Sequence, residues 1–197
     1  MEGEIIKLLR ESGAMLEGHF LLSSGRHSDR YFQCARLLQC PRSAQAALEG
    51  IAHKISKDIK SGKLKVDAVV GPAMGGIIAA WEMGRQLGLP AFFTERDENG
   101  IMVLRRGFTI EPGLSVLITE DVVTTGKSYG ECAGALKAAG ANVTALACVV
   151  DRRSPGSPEV PWPFYPAVQV EVGNWEASDC ELCKKGIPVV KPGSRRI

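Results

Sequence analysis

The sequence predicts an α/β protein with a central parallel sheet flanked by helices, and three observations carry that expectation. Short runs rich in Val, Ile, Leu and Ala, at 66–70, 115–119 and 143–150, alternate with segments whose apolar residues recur every three or four positions. Glycine and proline punctuate the junctions, at Gly71-Pro72, Gly88, Glu111-Pro112-Gly113 and Gly140. Finally, 197 residues are enough for one domain with a substantial core.

In order along the chain, Ile5, Leu8, Leu9 and Ser12 share one helical face, so a short amphipathic helix should end near Gly13. In the segment GHFLLSSGRHSDRYFQC, strand-like FLL and YF flank an unusually polar centre. After Pro41, suited to a first helical turn, Ala44, Ala47, Leu48, Ile51, Ile55 and Ile59 mark a helix closed near Gly62. A strand at 66–70, a helix from Gly76 to Leu87 and a strand from Ala91 to Thr94 follow. Then come a turn at 97–100, an extended stretch at 101–110, a strand from Ser115 to Thr119, a helix from Ser128 to Ala139 and a strand from Val143 to Val150. Five prolines make 154–166 irregular, leading to a last strand at 168–172 and a loop-rich tail. Such alternation means βαβ units and a parallel sheet.

Lys+Arg 24 against Asp+Glu 22 gives a net charge of +2, which argues against a nucleic-acid coat protein and for a small-molecule partner. No apolar run approaches the roughly 18 residues of a membrane span, and the acidic, amphipathic start MEGEIIKLLRESG is unlike a signal peptide, so a cytoplasmic location is expected. Six irregularly placed cysteines are not a secreted disulfide framework. Only Cys180 and Cys183, in CELC, have metal-ligand spacing; with no second CxxC or HxxxH to complete a zinc site, they read as reduced thiols in a turn.

The stretch VLITEDVVTTGKSYG, residues 116–130, carries the chemistry. Counting back from Gly126-Lys127-Ser128, a nucleotide P-loop would need glycine where Asp121 stands. Carboxylates at Glu120 and Asp121 repel a wrapped triphosphate, yet suit the 2′ and 3′ hydroxyls of a ribose while amides of Thr124, Thr125, Gly126, Lys127 and Ser128 take its 5′-phosphate. The plainer alternative is an acidic strand end followed by a helix N-cap at Thr124 or Thr125.

VLITEDVVTTGKS resembles the phosphoribosyl diphosphate (PRPP) motif of type I phosphoribosyltransferases, with Val122 and Val123 between the acids and the loop. That resemblance implies the type I phosphoribosyltransferase fold, a single domain over 1–197 with a small hood lobe from about 1–40 plus the C-terminal tail, and a core at about 41–172. Mg²⁺ would be held mainly through PRPP rather than by protein side chains.

Further segments resemble orotate phosphoribosyltransferases of the short bacterial form: GHFLLSSGRHSDRYFQC their hood, VVGPAMGGIIAA their pyrophosphate loop, ACVVDRRS the strand whose arginine holds orotate, with ERDENGIMVLRRGF and GIPVVKPGS as further matches. The resemblance implies transfer of the phosphoribosyl group to orotate in pyrimidine biosynthesis, with Ala73, Met74, Gly75 and Gly76 on pyrophosphate. Arg152 and Thr124 would contact orotate, Arg26 and His27 would lie in the hood beside base and PRPP, and Arg96, Arg105 and Arg106 would lie in a mobile loop closing over pyrophosphate. Asp121 would bind ribose more than move protons. A homodimer with shared sites is also implied. Better-known members carry lysine where this chain has Gly75 and His27. Alternatives are transfer to another base, or a non-catalytic PRPP-binding regulator.

Overall fold

The computed structural model describes residues 2–22, 24–154 and 156–192, so Ser23 of the hood segment and the Gly193-Ser194 end of the tail segment lie outside the described residues. A six-stranded sheet has the order β5-β4-β3-β6-β7-β8, from β3 (Ala68–Pro72), β4 (Ala91–Arg96), β5 (Met102–Leu104), β6 (Ser115–Val123), β7 (Asn142–Asp151) and β8 (Phe164–Gln169). Every pairing is parallel except β4 with β5.

Two helices of the first half, α1 (Glu2–Glu11) and α3 (Pro41–Lys60), join α4 (Gly75–Leu87) on one face of the sheet. Helix α3 buries Ala44, Leu48, Ile51 and Ile55, the three-and-four repeat of its sequence, against Val69, Leu117 and Val149. The opposite face packs on α5 (Lys127–Ala138) through Tyr129, Cys132 and Leu136. A separate antiparallel hairpin, β1 (Met15–Leu21) with β2 (His27–Phe32), leads into the one-turn α2 (Ala35–Leu38); α6 (Glu181–Lys184) lies in the tail. Among the described residues, no helix is long and apolar enough to cross a membrane.

Three expectations need correction. The stretch at 101–110 keeps ladder hydrogen bonds only at Met102–Leu104, because Arg106 takes a φ of 62° and turns the chain. Phe108 then packs its ring 5.1 Å from Phe93 and 5.4 Å from Phe92. The last strand begins at Phe164 rather than 168 and runs through Pro166, which an edge strand tolerates because its other side has no ladder partner. Strand β6 continues past the apolar run, through Glu120 to Val123, because β7 offers partners for it as far as Asp151.

In a sheet of this order the helix connections leave β3 and β6 in opposite directions. The carboxyl ends of those two neighbours therefore form a crevice, the usual ligand position in parallel sheets. Both loops singled out by the sequence, 73–76 and 120–128, start there.

Candidate active site

Strand β6 delivers Glu120 and Asp121 to the crevice, and the chain then turns through Thr124–Gly126 into α5. The N-cap of α5 is Gly126, in the left-handed region at φ 83°, rather than Thr124 or Thr125. No side chain caps the helix; the Lys127 amide makes only a long 3.4 Å contact with Thr125 Oγ1. The first-turn amides of a 12-residue helix are thus available to an anion, and the helix dipole favours one. A small hollow of about 40 Å³ is lined by Glu120 and Val122–Tyr129. A side chain at position 126 would stand 2.7 Å from the Tyr129 hydroxyl, so glycine serves both the turn and the close packing beneath it.

The facing wall is the β3–α4 connection. A Cβ on Gly71 would meet the Gly76 carbonyl oxygen at 2.1 Å, and one on Gly76 would meet Pro72 at 2.8 Å, so the turn closes only with glycine at both positions. A Cβ on Gly75 would stand 2.3–2.5 Å from the Asp121 carboxyl atoms. The loop backbone therefore lies directly against Asp121, and 73–76 and 121–128 form two sides of one recess. Thr94, within β4, holds this loop, its carbonyl accepting from the Ala73 amide at 2.7 Å, and the Ala73–Met74 peptide is cis.

Glu120 is 6% exposed and makes no hydrogen bond or ion pair with a described residue. Burial, and then the neighbouring Asp121 charge, push its carboxyl up to about 9. Burial also raises Asp121, opposed by hydrogen bonds from backbone amides, of which Val122 donates at 2.9 Å. A buried and a half-buried carboxyl with no cationic partner among the described residues are poor for stability and well suited to a ligand that supplies hydroxyl donors or positive charge.

Strand β7 ends beside β6, pairing Asp151 with Val123, and the Arg152 amide donates to the Val123 carbonyl at 3.0 Å. Arg152 and Thr124 are brought together in this way. The two arginines of DRRS have different fates. Arg153 grips the buried Asp151 with two hydrogen bonds of 3.0 Å and lies over the Phe164 ring at 4.8 Å. Arg152 is half-buried, and its guanidinium makes no hydrogen bond or ion pair with a described residue. Burial lowers its pKa, opposed by Tyr31 of the hairpin and Cys34 after it. The pairing with Arg153 also leaves the Asp151 carboxylate engaged within the protein.

The remaining predicted residues are not gathered at this recess. Arg26 at the hairpin tip pairs with Glu176 and Asn174 of the tail. His27, expected beside base and PRPP, is buried, with its ring Nδ1 2.8 Å from His19 Nε2 and 3.3 Å from Cys183 Sγ. Arg96 contacts the Gly100 carbonyl at 2.7 Å and pairs with Glu131 of α5. Arg105 and Arg106 both pair with Glu95, at 3.8 and 2.8 Å. None of these three arginines bonds to the 121–128 loop among the described residues.

Two features escaped the sequence reading. Tyr31, beside Arg152, is signalled only by its place in the hood segment. More consequentially, CELC is not a solitary pair: His19, His27, Cys180 and Cys183 place their four ligand atoms within 4.8 Å of one another. Spacing rules missed this because the partners are some 160 residues apart.

Comparison with known proteins agrees with the geometry. An orotate phosphoribosyltransferase of Heliobacterium modesticaldum is 47% identical over 194 residues, covering 98% of this chain and 98% of that protein. The crystal structure of orotate phosphoribosyltransferase from Aeropyrum pernix has a TM-score of 0.68 at 26% identity, covering 84% of this chain and 93% of that one. A Mycobacterium tuberculosis orotate phosphoribosyltransferase in complex with inorganic phosphate shares the fold, with a TM-score of 0.62 at 24% identity over 85% of this chain and 95% of that one. The phosphoribosyl transferase domain matches residues 42–175, across both walls of the recess and Arg152, and the chain belongs to that family.

Proposed function

We propose that this protein is an orotate phosphoribosyltransferase, moving the 5-phosphoribosyl group of PRPP onto orotate to give orotidine 5′-monophosphate and pyrophosphate in UMP synthesis. The observation that carries the reading is Arg152: a half-buried guanidinium with no protein partner among the described residues, next to the phosphate loop. Its planar fork matches the carboxylate of orotate, whereas a purine offers it no anion.

Glu120 and Asp121 accept hydrogen bonds from the ribose hydroxyls, and the amides of 124–128 hold the 5′-phosphate. The 73–76 backbone lies where pyrophosphate departs, its approach made possible by Gly75 and Gly76. Because positive charge grows at the anomeric carbon as the leaving group takes up negative charge, fixed dipoles and cations perform the catalysis and no side-chain nucleophile is needed. Glu120 and Asp121, at the end of β6, offer hard oxygen donors of the class Mg²⁺ takes, so the recess fits it beside PRPP. When bound, Mg²⁺ supplies charge neutralisation of the diphosphate.

Arg96, Arg105 and Arg106 are assigned to the closing loop. Their glutamate partners hold them apart from the recess in the present state. The apolar surface at the start of α4 supports a homodimer: Met74, Ile78 and Trp81, spaced to share one face, are 81%, 44% and 60% exposed.

The test is pyrophosphate release from PRPP with orotate, adenine or hypoxanthine as acceptor; only orotate should support it. Arg152→Ala should raise the orotate KM by on the order of a hundredfold, matching the loss of about 3 kcal/mol for a charged bidentate contact, and leave PRPP affinity unchanged. Efficient turnover of a purine base would overturn the assignment.

A further inference from the structure

The hairpin and the tail meet in a cluster that substrate chemistry does not use. His19 and His27 are 3% and 7% exposed, and Cys180 is fully buried. Leu21 pairs with His27 across the hairpin and lies two residues from His19 on the same strand face, so the two imidazoles meet diagonally, with centroids 4.8 Å apart. The CxxC turn enters from the tail, bringing Cys180 Sγ to 3.4 Å and Cys183 Sγ to 3.7 Å from His19 Nε2, and Cys183 Sγ to 3.3 Å from His27 Nδ1.

Proton counting shows what this cluster lacks. His19 Nδ1 lies 2.7 Å from the Ile187 carbonyl oxygen, which only accepts, so that nitrogen carries the proton and Nε2 of the neutral ring presents its lone pair inward. His27 Nδ1 and both thiols then converge on that one lone pair, which can satisfy only one donor well. A cation at the centre reverses the arrangement. Two imidazole lone pairs and two thiolates become four donors to one acceptor, and the two thiolate charges balance a divalent ion held by three buried residues, with Cys183 on the solvent side.

The dimensions agree. Tetrahedral zinc, with Zn–S of about 2.3 Å and Zn–N of about 2.0 Å, sets ligand atoms roughly 3.3 to 3.8 Å apart. Three of the four sulfur–nitrogen separations, 3.3, 3.4 and 3.7 Å, fall in that range, the 2.8 Å nitrogen pair has to open by about half an ångström, and every remaining pair lies within 4.8 Å. The bond from His19 to the Ile187 carbonyl is the orienting partner that metal-bound imidazoles usually have.

The tail offers a second, independent reason. From residue 173 to 192, Cys180 is the only described residue that is buried; Ile187, Val189 and Val190 are 42%, 47% and 55% exposed. The backbone pairs of Trp175 with His27, and of Val190 with His19 and Leu21, hold the tail with almost no apolar burial behind them. Small segments without a core are commonly secured by metal.

We propose that His19, His27, Cys180 and Cys183 bind one structural Zn²⁺ that clasps the C-terminal tail to the N-terminal hairpin. Two nitrogen and two sulfur ligands in a tetrahedron select zinc over the oxygen-seeking Mg²⁺ of the reaction. The clasp leaves no open position and takes no part in the chemistry.

The full-length protein, purified without a metal-affinity tag, should contain about one zinc per chain by mass spectrometry. The zinc should resist dialysis and leave on titration of thiols with an organomercurial. Co²⁺ added to the stripped protein should give the visible bands and thiolate charge-transfer absorption of a tetrahedral site. Cys180→Ser and Cys183→Ser should each lower the zinc content at least tenfold, and Cys40→Ser, far from the cluster in sequence, should not. Lys184, Lys185 and Lys191 are exposed, and chelation, by freeing the tail backbone, should speed tryptic cleavage after them at least severalfold. If the variants are insoluble, the cobalt spectrum of the wild-type protein still decides. Failure of the stripped protein to take up zinc or cobalt, a Cys180–Cys183 disulfide in the native protein, or full zinc content in both cysteine variants would overturn the proposal. None of these readouts depends on which base is the substrate.

Discussion

Glu120 illustrates how a carboxyl is held in a state that costs stability. Its carboxyl is raised to about 9 by burial and by Asp121, whereas in the unfolded chain it titrates near the ordinary carboxylate value. Between those two values the folded protein holds a proton that the unfolded chain has released. The contribution of this group to stability therefore falls as pH rises through that window. Glu120→Gln, which cannot ionise, should raise the thermal midpoint at pH 8 by a few degrees over the wild type, at about 2–4 °C per kcal/mol for a chain of this size, and flatten its decline from pH 6 to 9. The same variant should lose PRPP binding in calorimetry. A variant less stable than wild type at pH 8 would show that Glu120 is instead anchored by the protein. Arg152 and Arg153 make the complementary point: adjacent and alike in sequence, they differ because Asp151 takes one of them and leaves the other for a ligand.

At the scale of elements, the recess is made by two strand-to-helix turns whose glycines have distinct duties. Gly126 provides the left-handed conformation that starts α5 without a capping side chain, and Gly75 provides clearance for Asp121. Gly75→Ala places a methyl group inside the space of that carboxyl, which has to rotate away or push the loop outward. Overpacking of this kind typically costs about 1–3 kcal/mol. The expected result is a PRPP KM raised by about tenfold or more with the orotate KM nearly unchanged, measured by steady-state kinetics. An unchanged PRPP KM would mean that the loop backbone does not approach the ligand. The loop positions were legible in the sequence because each follows an apolar strand, carries its glycines at a helix start and is phosphate-compatible by composition. The 101–110 stretch was less legible: an apolar, β-prone run was broken at Arg106 by a turn that local propensity does not signal.

For the whole molecule, the exposed face of Met74, Ile78 and Trp81 adjoins the pyrophosphate loop, so a partner subunit seated there would stand beside the recess. Trp81→Glu should convert dimers to monomers in sedimentation. It should also lower kcat by on the order of a hundredfold, as the partner's loop arginines leave the leaving group. Monomers with full turnover would separate assembly from catalysis and remove the shared-site reading. Most of the architecture was legible without coordinates: apolar runs and helical periodicity marked β3, β4, β6, β7 and the helices between them, and the acid pair with its Thr/Gly loop marked the turn from β6 into α5. These signals are local, since each depends on residues within a few positions of one another.

The sequence by itself determined the α/β layering and the strand-to-helix turn at 120–128, because strand and helix periods and the glycine of such a turn are written in consecutive residues. Only the tertiary structure decided which arginine of DRRS pairs with Asp151, that His27 lies against His19 and Cys183, and that four side chains at opposite ends of the chain share one centre. Those outcomes depend on which distant groups become neighbours, and burial and charge pairing at such contacts arise only once β7 lies beside β6 and the tail returns to the hairpin.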